Sequence, residues 1–142
     1  MRVGFTGTQD GMTSKQREAV AVLLRNQTWR PMRFHHGDCV GADAEAHDIV
    51  AALLETFIEA HPCTIREKRA FKYANVVNEE KPPLVRNRII VNSSEVLIVA
   101  PRTKYKVLRS GTWSTYRYAR QLGKPTYLVY SDGSVLREGP WL

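Results

Sequence analysis

The sequence predicts an α/β fold, a Rossmann-like three-layer sandwich with a mostly parallel sheet of about five strands. Short apolar runs alternate along the chain with segments whose apolar residues recur at helical spacing. The clearest run is Val96–Ala100, and a continuous apolar stretch of this kind is typical of a parallel strand covered on both faces. Strands that alternate with helices in this way pair in parallel and carry helices on both faces of the sheet.

The first half of the chain opens with a strand at Val3–Gly7 that ends in a glycine-containing turn. Thr13 or Ser14 can cap the next segment, which is expected to be helical to about Asn26. The elements predicted after it are a strand at Met32–His36, a helix from Asp43 to Phe57 and a brief strand at Ile58–His61.

In the second half, residues 64–82 are charged and show little periodicity, and such long loops are usually functional or disordered. Pro83 suits the first turn of a helix over Leu84 to about Val91. A last helix begins within RSGTWSTYRYAR, residues 109–120, and ends at Gly123. A core strand at Thr126–Tyr130 follows, and residues 130–142 form an edge hairpin or a tail.

Length and composition predict one domain over residues 1–142 with a basic surface. The net charge of +7 favours an anionic partner such as a nucleotide, a nucleic acid or a phosphorylated metabolite, although a basic solvated surface is the plain alternative. The two cysteines, Cys39 and Cys63, are expected to be buried free thiols in a reducing compartment. No signal peptide or membrane-length apolar run is present, so the sequence predicts a cytoplasmic protein without a membrane partner.

Glycines and hydroxyl residues collect where the predicted strands end, which is where open α/β sheets bind ligands. Glycine lets a backbone approach a ligand closely, helix amino termini attract anions, and arginine can grip a phosphate. The sequence therefore predicts a phosphate cradle. Its predicted residues are Gly7, Thr8, Gln9, Gly37, Asp38, Gly41, Asp43, Arg86, Arg109, Ser110, Gly111, Thr112 and Trp113.

Several of these residues have a plain structural alternative. Gly7 and Gly37 can serve only as tight turns, and Asp43 can be the N-cap of its helix instead of a ribose contact. Trp113 can stack on a base or lie in the core. Arg86 and Arg88 are two apart on a helix, so at most one of them is expected to face the ligand.

The histidines add a second open question. His35 and His36 are adjacent on a strand and must point to opposite faces, although either has a pKa suited to acid–base chemistry. Asp43 and His47 share a helical face and can share a metal, but no third ligand is evident. The sequence therefore predicts no metal and no cofactor.

Several stretches together resemble the SLOG superfamily, which joins the DNA-processing protein A (Smf) proteins with the LOG, or "lysine decarboxylase-like", enzymes. They are GFTGTQDG, HHGDCVGADAEAH, AHP, PLVRNRIIV and VLIVAP followed by RSGTWSTYRYARQLGKP. The small stand-alone YspA-like branch is the most similar, and the resemblance runs from Arg2 to about Tyr130. It implies a Rossmann-like domain that binds nucleotides or nucleotide-derived ligands.

Within that resemblance, residues 110–112 stand where LOG enzymes hold a phosphate with the motif PGGxGTxxE. Arg86 matches the arginine of their Arg-Lys motif, while Asn87 replaces the lysine. Thr115 occupies the position of the LOG glutamate and joins the predicted ligand-binding residues. LOG enzymes cleave an N-glycosidic bond, and a threonine supplies neither the charge nor the base. Asp38 and Asp43 are the remaining candidate catalytic carboxylates.

We therefore expect a sensor or sequestering protein for a small nucleotide, with ADP-ribose-like or cyclic signalling nucleotides as leading ligands. An anion cradle without a complete catalytic set favours binding over catalysis. One alternative is a nucleotide N-glycosidic-bond hydrolase or transferase. Another is a DNA-binding protein like the DNA-processing A family, which the charge and the basic loops 64–72 and 102–109 favour. A homo-oligomer is also expected, because related domains commonly pair through helices.

Overall fold

A computed structural model describes residues 1–25, 27–105 and 110–140 of the chain. None of the helices in these ranges is long and apolar enough to span a bilayer. The same residues form seven strands and four α-helices, together with short 3-10 helices at Gln27–Trp29 and Arg66–Lys68. In chain order the elements are β1 (Arg2–Gly7), α1 (Ser14–Leu24), β2 (Met32–His36), α2 (Ala42–Ala51), β3 (Thr56–Ala60), β4 (Val76–Val77), α3 (Pro83–Asn92), β5 (Val96–Ala100), α4 (Gly111–Gln121), β6 (Thr126–Val129) and β7 (Val135–Glu138).

The strands form one sheet in the order β4-β3-β2-β1-β5-β6-β7. Neighbouring strands run parallel except for β7, which pairs antiparallel with β6. The chain moves outward from β1 to β4 and then returns through α3 to the other side of β1. The strand order therefore reverses between β1 and β5, and sheets of this kind bind ligands beyond the carboxyl ends of the strands at that point.

Each face of the sheet is covered by a helix pair with its own apolar core. Helices α1 and α2 cover one face, where Phe5, Phe34 and Ile98 belong to a common cluster. Helices α3 and α4 cover the other face, with Leu97 and Leu128 in a second cluster. Every residue of β5 is buried, as its continuous apolar sequence requires. The predicted Rossmann-like α/β architecture with a mostly parallel sheet is confirmed.

The strand count and several element boundaries differ from the prediction. The sheet gains β4, inside the segment predicted as a loop, and β7, where the predicted edge hairpin forms. Helix α2 stops at Ala51, and Phe57 lies in β3, because the chain turns between these residues, where Glu55 has a left-handed φ of 58°. The strand predicted at Ile58–His61 starts earlier and ends one residue sooner. Helix α1 ends at Leu24, and its predicted end, Asn26, lies outside the described residues.

Residues 64–82 are tied to the turn that precedes α2. The backbone N–H of Val40 donates to the carbonyl of Lys68 at 2.9 Å, and the N–H of Ala70 donates to the carbonyl of Asp38 at 2.7 Å. Cys39 and Arg69 also form an isolated antiparallel bridge. This segment therefore packs over the turn at residues 37–41 and forms hydrogen bonds with the backbone groups of that turn.

Candidate ligand-binding site

A cavity of about 400 Å³ lies beyond the carboxyl ends of β1, β2 and β5, at the reversal of strand order. It is the place where the sheet topology leads one to expect a ligand. Among the predicted residues, its wall contains Gly7, Thr8, Gln9, Gly37, Asp43, Arg86, Ser110, Gly111, Thr112 and Trp113. Beyond that predicted set, the wall contains Phe5, Thr6, Asp10, Cys39, Asn87, Ile90, Arg102 and Thr103.

The amino end of α4 forms one side of the cavity. Ser110 is the N-cap, and its hydroxyl oxygen accepts the N–H of Trp113 at 3.3 Å. The N–H groups of Gly111 and Thr112 have no partner inside the helix, as is general for a first helical turn. Ser110 therefore caps the helix while two backbone donors and the positive end of the helix dipole face the cavity.

Arg86, on the first turns of α3, forms the opposite side. It is only 5% exposed, and its guanidinium is held by backbone carbonyls: Nη1 donates to Gly37 O at 2.6 Å and to His61 O at 3.0 Å. A side chain at Gly37 would collide with this guanidinium, so that glycine is required by the close approach of Arg86. Arg88 points elsewhere, with its guanidinium 5.0 Å from the ring centre of Tyr118. The expectation that only one of the two arginines faces the site is met.

Arg86 makes no direct ion pair in the part of the chain that the structure describes. Its other donors reach the Oδ1 of Asn87 at 2.7 Å and the Sγ of Cys39 at 3.5 Å. The Asp43 carboxylate attracts it from a longer distance. A buried cation without a direct ion pair is only partly compensated for its lost hydration, so the cavity favours an anion beside Arg86.

Asp43 is the carboxylate nearest to this charge in the cavity wall, and it is buried. Its Oδ2 accepts the N–H of Cys39 at 3.2 Å. Burial raises the pKa of the Asp43 carboxyl from 3.8 to about 6, while Arg86 and the backbone N–H groups around it oppose that rise. The alternative of Asp43 as the N-cap is wrong, because Gly41 is the N-cap of α2 and makes no side-chain cap.

Asp38 and Gly41, both predicted at the ligand, do not line the cavity. The carboxylate of Asp38 accepts the N–H of Lys72 at 3.0 Å and lies 3.6 Å from the guanidinium of Arg69. Gly41 has a φ of 88°, and a side chain there would meet the backbone carbonyls of Thr8 and Gln9, in the turn that follows β1 (the β1 turn). Both residues therefore hold loops together, because segment 64–82 and the β1 turn occupy the space that a ligand would need.

Thr115 is also outside the cavity. Its hydroxyl donates to the carbonyl of Gly111 at 2.8 Å, one turn earlier in α4, and it is buried toward α3. The position of the LOG glutamate in this chain thus carries a hydroxyl that is already used by its own helix. Arg109, the remaining predicted residue, lies outside the described residues.

Trp113 lies in the core, as one of its two alternatives predicted, and stacking on a base stays a prediction. Its ring packs edge-on against Tyr116 at 5.4 Å in the core under α4, and it also reaches the cavity wall. Phe5 and Ile90 contribute further apolar wall, whereas Arg102 and Asp10 pair at 3.4 Å near the opening. The cavity therefore combines an apolar side with a cationic and N–H-rich side.

The histidines divide between the two faces as expected. His36 Nε2 lies 3.0 Å from His47 Nδ1 on the α2 face, whereas His35 Nδ1 lies 2.9 Å from His61 Nε2 on the other. His47 is thus partnered by His36, whereas the carboxylate of Asp43 on the same helical face accepts the N–H of Cys39.

The residues that the sequence missed come from β1, from α3 and from the segments that follow the strands. Phe5 and Thr6 belong to a strand whose apolar pattern marks it as core, and nothing in that pattern tells which residue reaches the sheet edge. Cys39 sits between two predicted residues, Asp38 and Gly41, and could have been included by proximity. Arg102 carried a signal, since it follows the buried strand β5 directly in a basic loop.

This site lies at the reversal point of a parallel sheet whose fold occurs in other proteins. The structure of DNA processing protein A from Helicobacter pylori, described for its single-stranded DNA binding mode, is 21% identical with a TM-score of 0.64. The match covers 90% of this chain and 64% of that one, so this chain spans under two thirds of that protein. The chain therefore shares the fold of DNA processing protein A, one of the proteins that its sequence resembles.

Two further structures share the fold. A molybdenum cofactor binding protein from the phototrophic bacterium Rippkaea orientalis is 19% identical with a TM-score of 0.71, over 92% of this chain and 77% of that one. The structural-genomics target TM1055 is 15% identical with a TM-score of 0.64, over 88% and 71% of the two chains. No protein-family model matches the chain, and no curated protein matches it by sequence. The comparisons therefore establish the fold.

Proposed function

We propose that the protein binds a small nucleotide or nucleotide-derived signalling ligand in this cavity and acts as a sensor or sequestering protein. The observation that carries the proposal is the buried Arg86 guanidinium, which makes no direct ion pair among the described residues and faces the same cavity as the amino end of α4. A phosphate placed between them would gain the cation on one side and the N–H groups of α4 on the other.

The rest of the cavity suits the remainder of such a ligand. Its volume of about 400 Å³ lies within the usual range for small-molecule sites. We propose that a base lies against the apolar part of the wall, where Phe5, Ile90 and Trp113 are almost fully buried, and that a sugar lies beside the hydroxyl groups of Thr6 and Thr8. ADP-ribose-like and cyclic nucleotides carry these three parts together, and we infer that one of them is the ligand.

Binding without turnover is favoured by the position of Thr115. The residue that stands in place of the LOG glutamate is a hydroxyl bonded to Gly111 O, away from the cavity. An N-glycosidic bond breaks through a cation-like transition state that a carboxylate stabilises. Asp43 is the only buried carboxylate among the described residues of the wall, and it is bonded to the backbone.

The test is a binding assay by native mass spectrometry and calorimetry with AMP, ADP-ribose, cyclic ADP-ribose and cyclic dinucleotides. Arg86→Ala should weaken binding about 30-fold, the equivalent of about 2 kcal/mol for a charged hydrogen bond. Arg88→Ala is the matched control, since it removes a cation two residues away on the same helix but outside the cavity, and should leave the affinity unchanged. Equal affinity in both variants would remove Arg86 from the site. The same spectra report the predicted homo-oligomer.

A second candidate is hydrolysis of the N-glycosidic bond, which the raised pKa of Asp43 favours. A buried carboxyl with a pKa of about 6 is suited to donate or accept a proton near neutral pH. Free base and ribose phosphate released by the wild-type protein, and lost in Asp43→Asn with binding retained, would establish this activity. A ligand that is retained and released unchanged excludes it for that ligand.

DNA binding is the third candidate, favoured by aromatic side chains on segment 64–82. Tyr73 is 95% exposed, and Phe71 is exposed beside Arg66 and Arg69, whose guanidinium groups lie over its ring. Exposed aromatic and basic residues together are typical of single-stranded nucleic acid binding. Affinity that falls steeply with salt, and that Tyr73→Ala weakens while Arg86→Ala does not, would favour DNA over a small nucleotide.

A further inference from the structure

Three side chains with metal-ligating atoms converge outside the ligand cavity. They are His35 on β2, Glu59 on β3 and His61, which follows the end of β3. His35 Nδ1 lies 2.9 Å from His61 Nε2. Glu59 Oε2 lies 3.9 Å from the first of these nitrogens and 3.7 Å from the second. Both histidines are buried, and the side chain of Glu59 is 15% exposed. These residues are called the His-Glu-His triad below.

The sheet register explains why the triad forms. In the parallel pairing of β2 with β3, His35 is the direct partner of Glu59. His61 follows Glu59 by two residues, so their side chains emerge on the same face of the sheet. His36 points to the other face and pairs with His47. The triad is thus a consequence of strand register. Because His35 and His61 are far apart in the sequence, the sequence alone does not reveal it.

We propose that the His-Glu-His triad binds a divalent transition-metal ion, with Zn²⁺ as the best-fitting ion. A point in the plane of the three ligand atoms lies about 2.1 Å from each of them, which is the usual distance for zinc to imidazole nitrogen and to carboxylate oxygen. Two imidazoles and one carboxylate are a common three-residue zinc set, which leaves a fourth position for water or another ligand.

The chemical state of the three residues suits a cation. Only one proton fits between two nitrogens 2.9 Å apart, and a metal ion would use both lone pairs. Glu59 supplies the negative charge that offsets the ion.

Neighbouring groups orient the triad. Arg33 donates twice to Glu59 Oε1, at 3.0 and 2.8 Å, which leaves Oε2 directed toward the histidines. Asn78 Nδ2 lies 3.0 Å from Glu59 Oε2 and 3.3 Å from His61 Nδ1. With a metal on Nε2, His61 carries its proton on Nδ1, so the carboxamide of Asn78 must turn to accept it.

The triad is separate from the ligand cavity but is joined to it through one residue. A second cavity of about 240 Å³ is lined by His61, Asn78 and Arg86 and gives a route to the triad. The carbonyl of His61 also accepts Nη1 of Arg86 at 3.0 Å. A metal ion would therefore hold the end of β3 and, with it, one of the carbonyls that orient Arg86.

The first test is metal loading of the intact chain. The protein is stripped with a chelator, incubated with Zn²⁺, desalted and measured by plasma mass spectrometry, and about one ion per chain is expected. Long-range ¹H–¹⁵N spectra of the four imidazoles in the wild-type protein should show Zn²⁺-dependent shifts at His35 and His61. No bound zinc, or shifts confined to His36 and His47, would overturn the proposal.

Variants provide an independent arm. Glu59→Gln and His61→Gln should each weaken Zn²⁺ binding at least 100-fold, as measured by competition with a chelating dye. Asp48→Asn is the matched control, because Asp48 is a carboxylate paired with Lys72 outside the triad, and it should bind like the wild type. Wild-type affinity in both triad variants would overturn the proposal. The spectra of the wild-type protein decide the matter if a variant fails to fold.

Discussion

Two turns of this molecule have similar residues, but their backbone groups have different partners. The turn at residues 37–41 precedes α2, and residues 110–112 form the N-cap and the first two residues of α4; both combine glycine with small polar residues at the start of a helix. In the first, the chain uses its own donors: Ala42 N–H donates to the carbonyl of Thr8 at 2.9 Å, and Cys39 N–H donates to Asp43. In the second, the bonds among the described residues run to Ser110, whose hydroxyl accepts the N–H of Trp113 and whose carbonyl accepts the N–H of Ser114.

The difference comes from what surrounds each turn. Segment 64–82 and the β1 turn pack against residues 37–41, so protein groups satisfy the backbone groups there, and we call residues 37–41 the closed turn. The amino end of α4, residues 110–112, instead faces the cavity, and we call it the open turn. A glycine-containing strand-to-helix turn thus predicts available donors, while the neighbouring segments decide whether the protein or a ligand uses them.

The strongest way to break this comparison is Gly41→Ala in the closed turn. Gly41 has a φ of 88°, and a Cβ there would meet the backbone of Thr8 and Gln9. Because neither the backbone conformation nor a carbonyl can yield cheaply, we expect a loss of at least about 3 kcal/mol in the free energy of unfolding. Urea unfolding measures it. A loss below 1 kcal/mol would show that the turn is less tightly packed than described.

Asp43→Asn tests the burial of the closed turn through pH. The pKa of Asp43 is raised in the folded protein to about 6, so its neutral form is the one that the fold prefers. Its stabilising contribution is complete below about pH 4 and is lost as pH rises through 6, by about 3 kcal/mol in total. The free energy of unfolding of the wild type should therefore fall relative to Asp43→Asn between pH 4 and 7. A constant difference across that range would contradict the assigned burial.

Ser110→Ala sharpens the comparison at the open turn. It removes the hydroxyl that accepts Trp113 N–H, and an N-cap of this kind contributes about 1 kcal/mol to stability. Thermal unfolding measures the loss, and Ser114→Ala, in the first turn of the same helix but not its cap, is the control. An equal effect of the two substitutions would contradict the capping role.

Gly111→Ala should have the smallest effect, with the opposite sign to Gly41→Ala. Gly111 is helical, and an added Cβ would approach only Asn87 Nδ2, at 3.9 Å. Replacing a helical glycine by alanine should stabilise the fold by about 0.5 kcal/mol, because the unfolded chain loses freedom. Urea unfolding beside Gly41→Ala gives the contrast directly, and a destabilised Gly111→Ala would show that the open turn is in fact crowded.

The sequence was most informative where one physical rule dominates. The run Val96–Ala100 is apolar throughout, and it is the buried strand β5 beside the site. The spacing of Phe57 continues the apolar stripe of α2 and therefore predicts a helical position. Local periodicity gives no sign of the turn around Glu55 that separates Phe57 from the helix. The short strand β4 was similarly hidden, since two residues carry too little pattern, whereas β7 forms where the edge hairpin was predicted.

At the candidate site, the sequence located the turns correctly but did not show which of their residues reach the cavity wall. Arg86 and residues 110–112 reach the cavity wall as predicted, although their contact with a ligand stays a prediction. Asp38 does not, because segment 64–82 folds back onto it, and a contact between residues 34 positions apart leaves no local trace. His35 and His61 meet through the register of β2 and β3, which the residues near either histidine in the sequence do not reveal.

The pairing of β1 with β5 bears on the order in which the chain can acquire its structure during synthesis. Val3 pairs with Val96, and these two strands form the middle of the sheet. The amino-terminal strand must therefore wait, with its apolar side chains unpartnered on one flank, until most of the chain has left the ribosome. Pairings this distant are slow and leave an early intermediate open to aggregation, so a nascent chain arrested before β5 should depend on chaperones until α3 and β5 emerge.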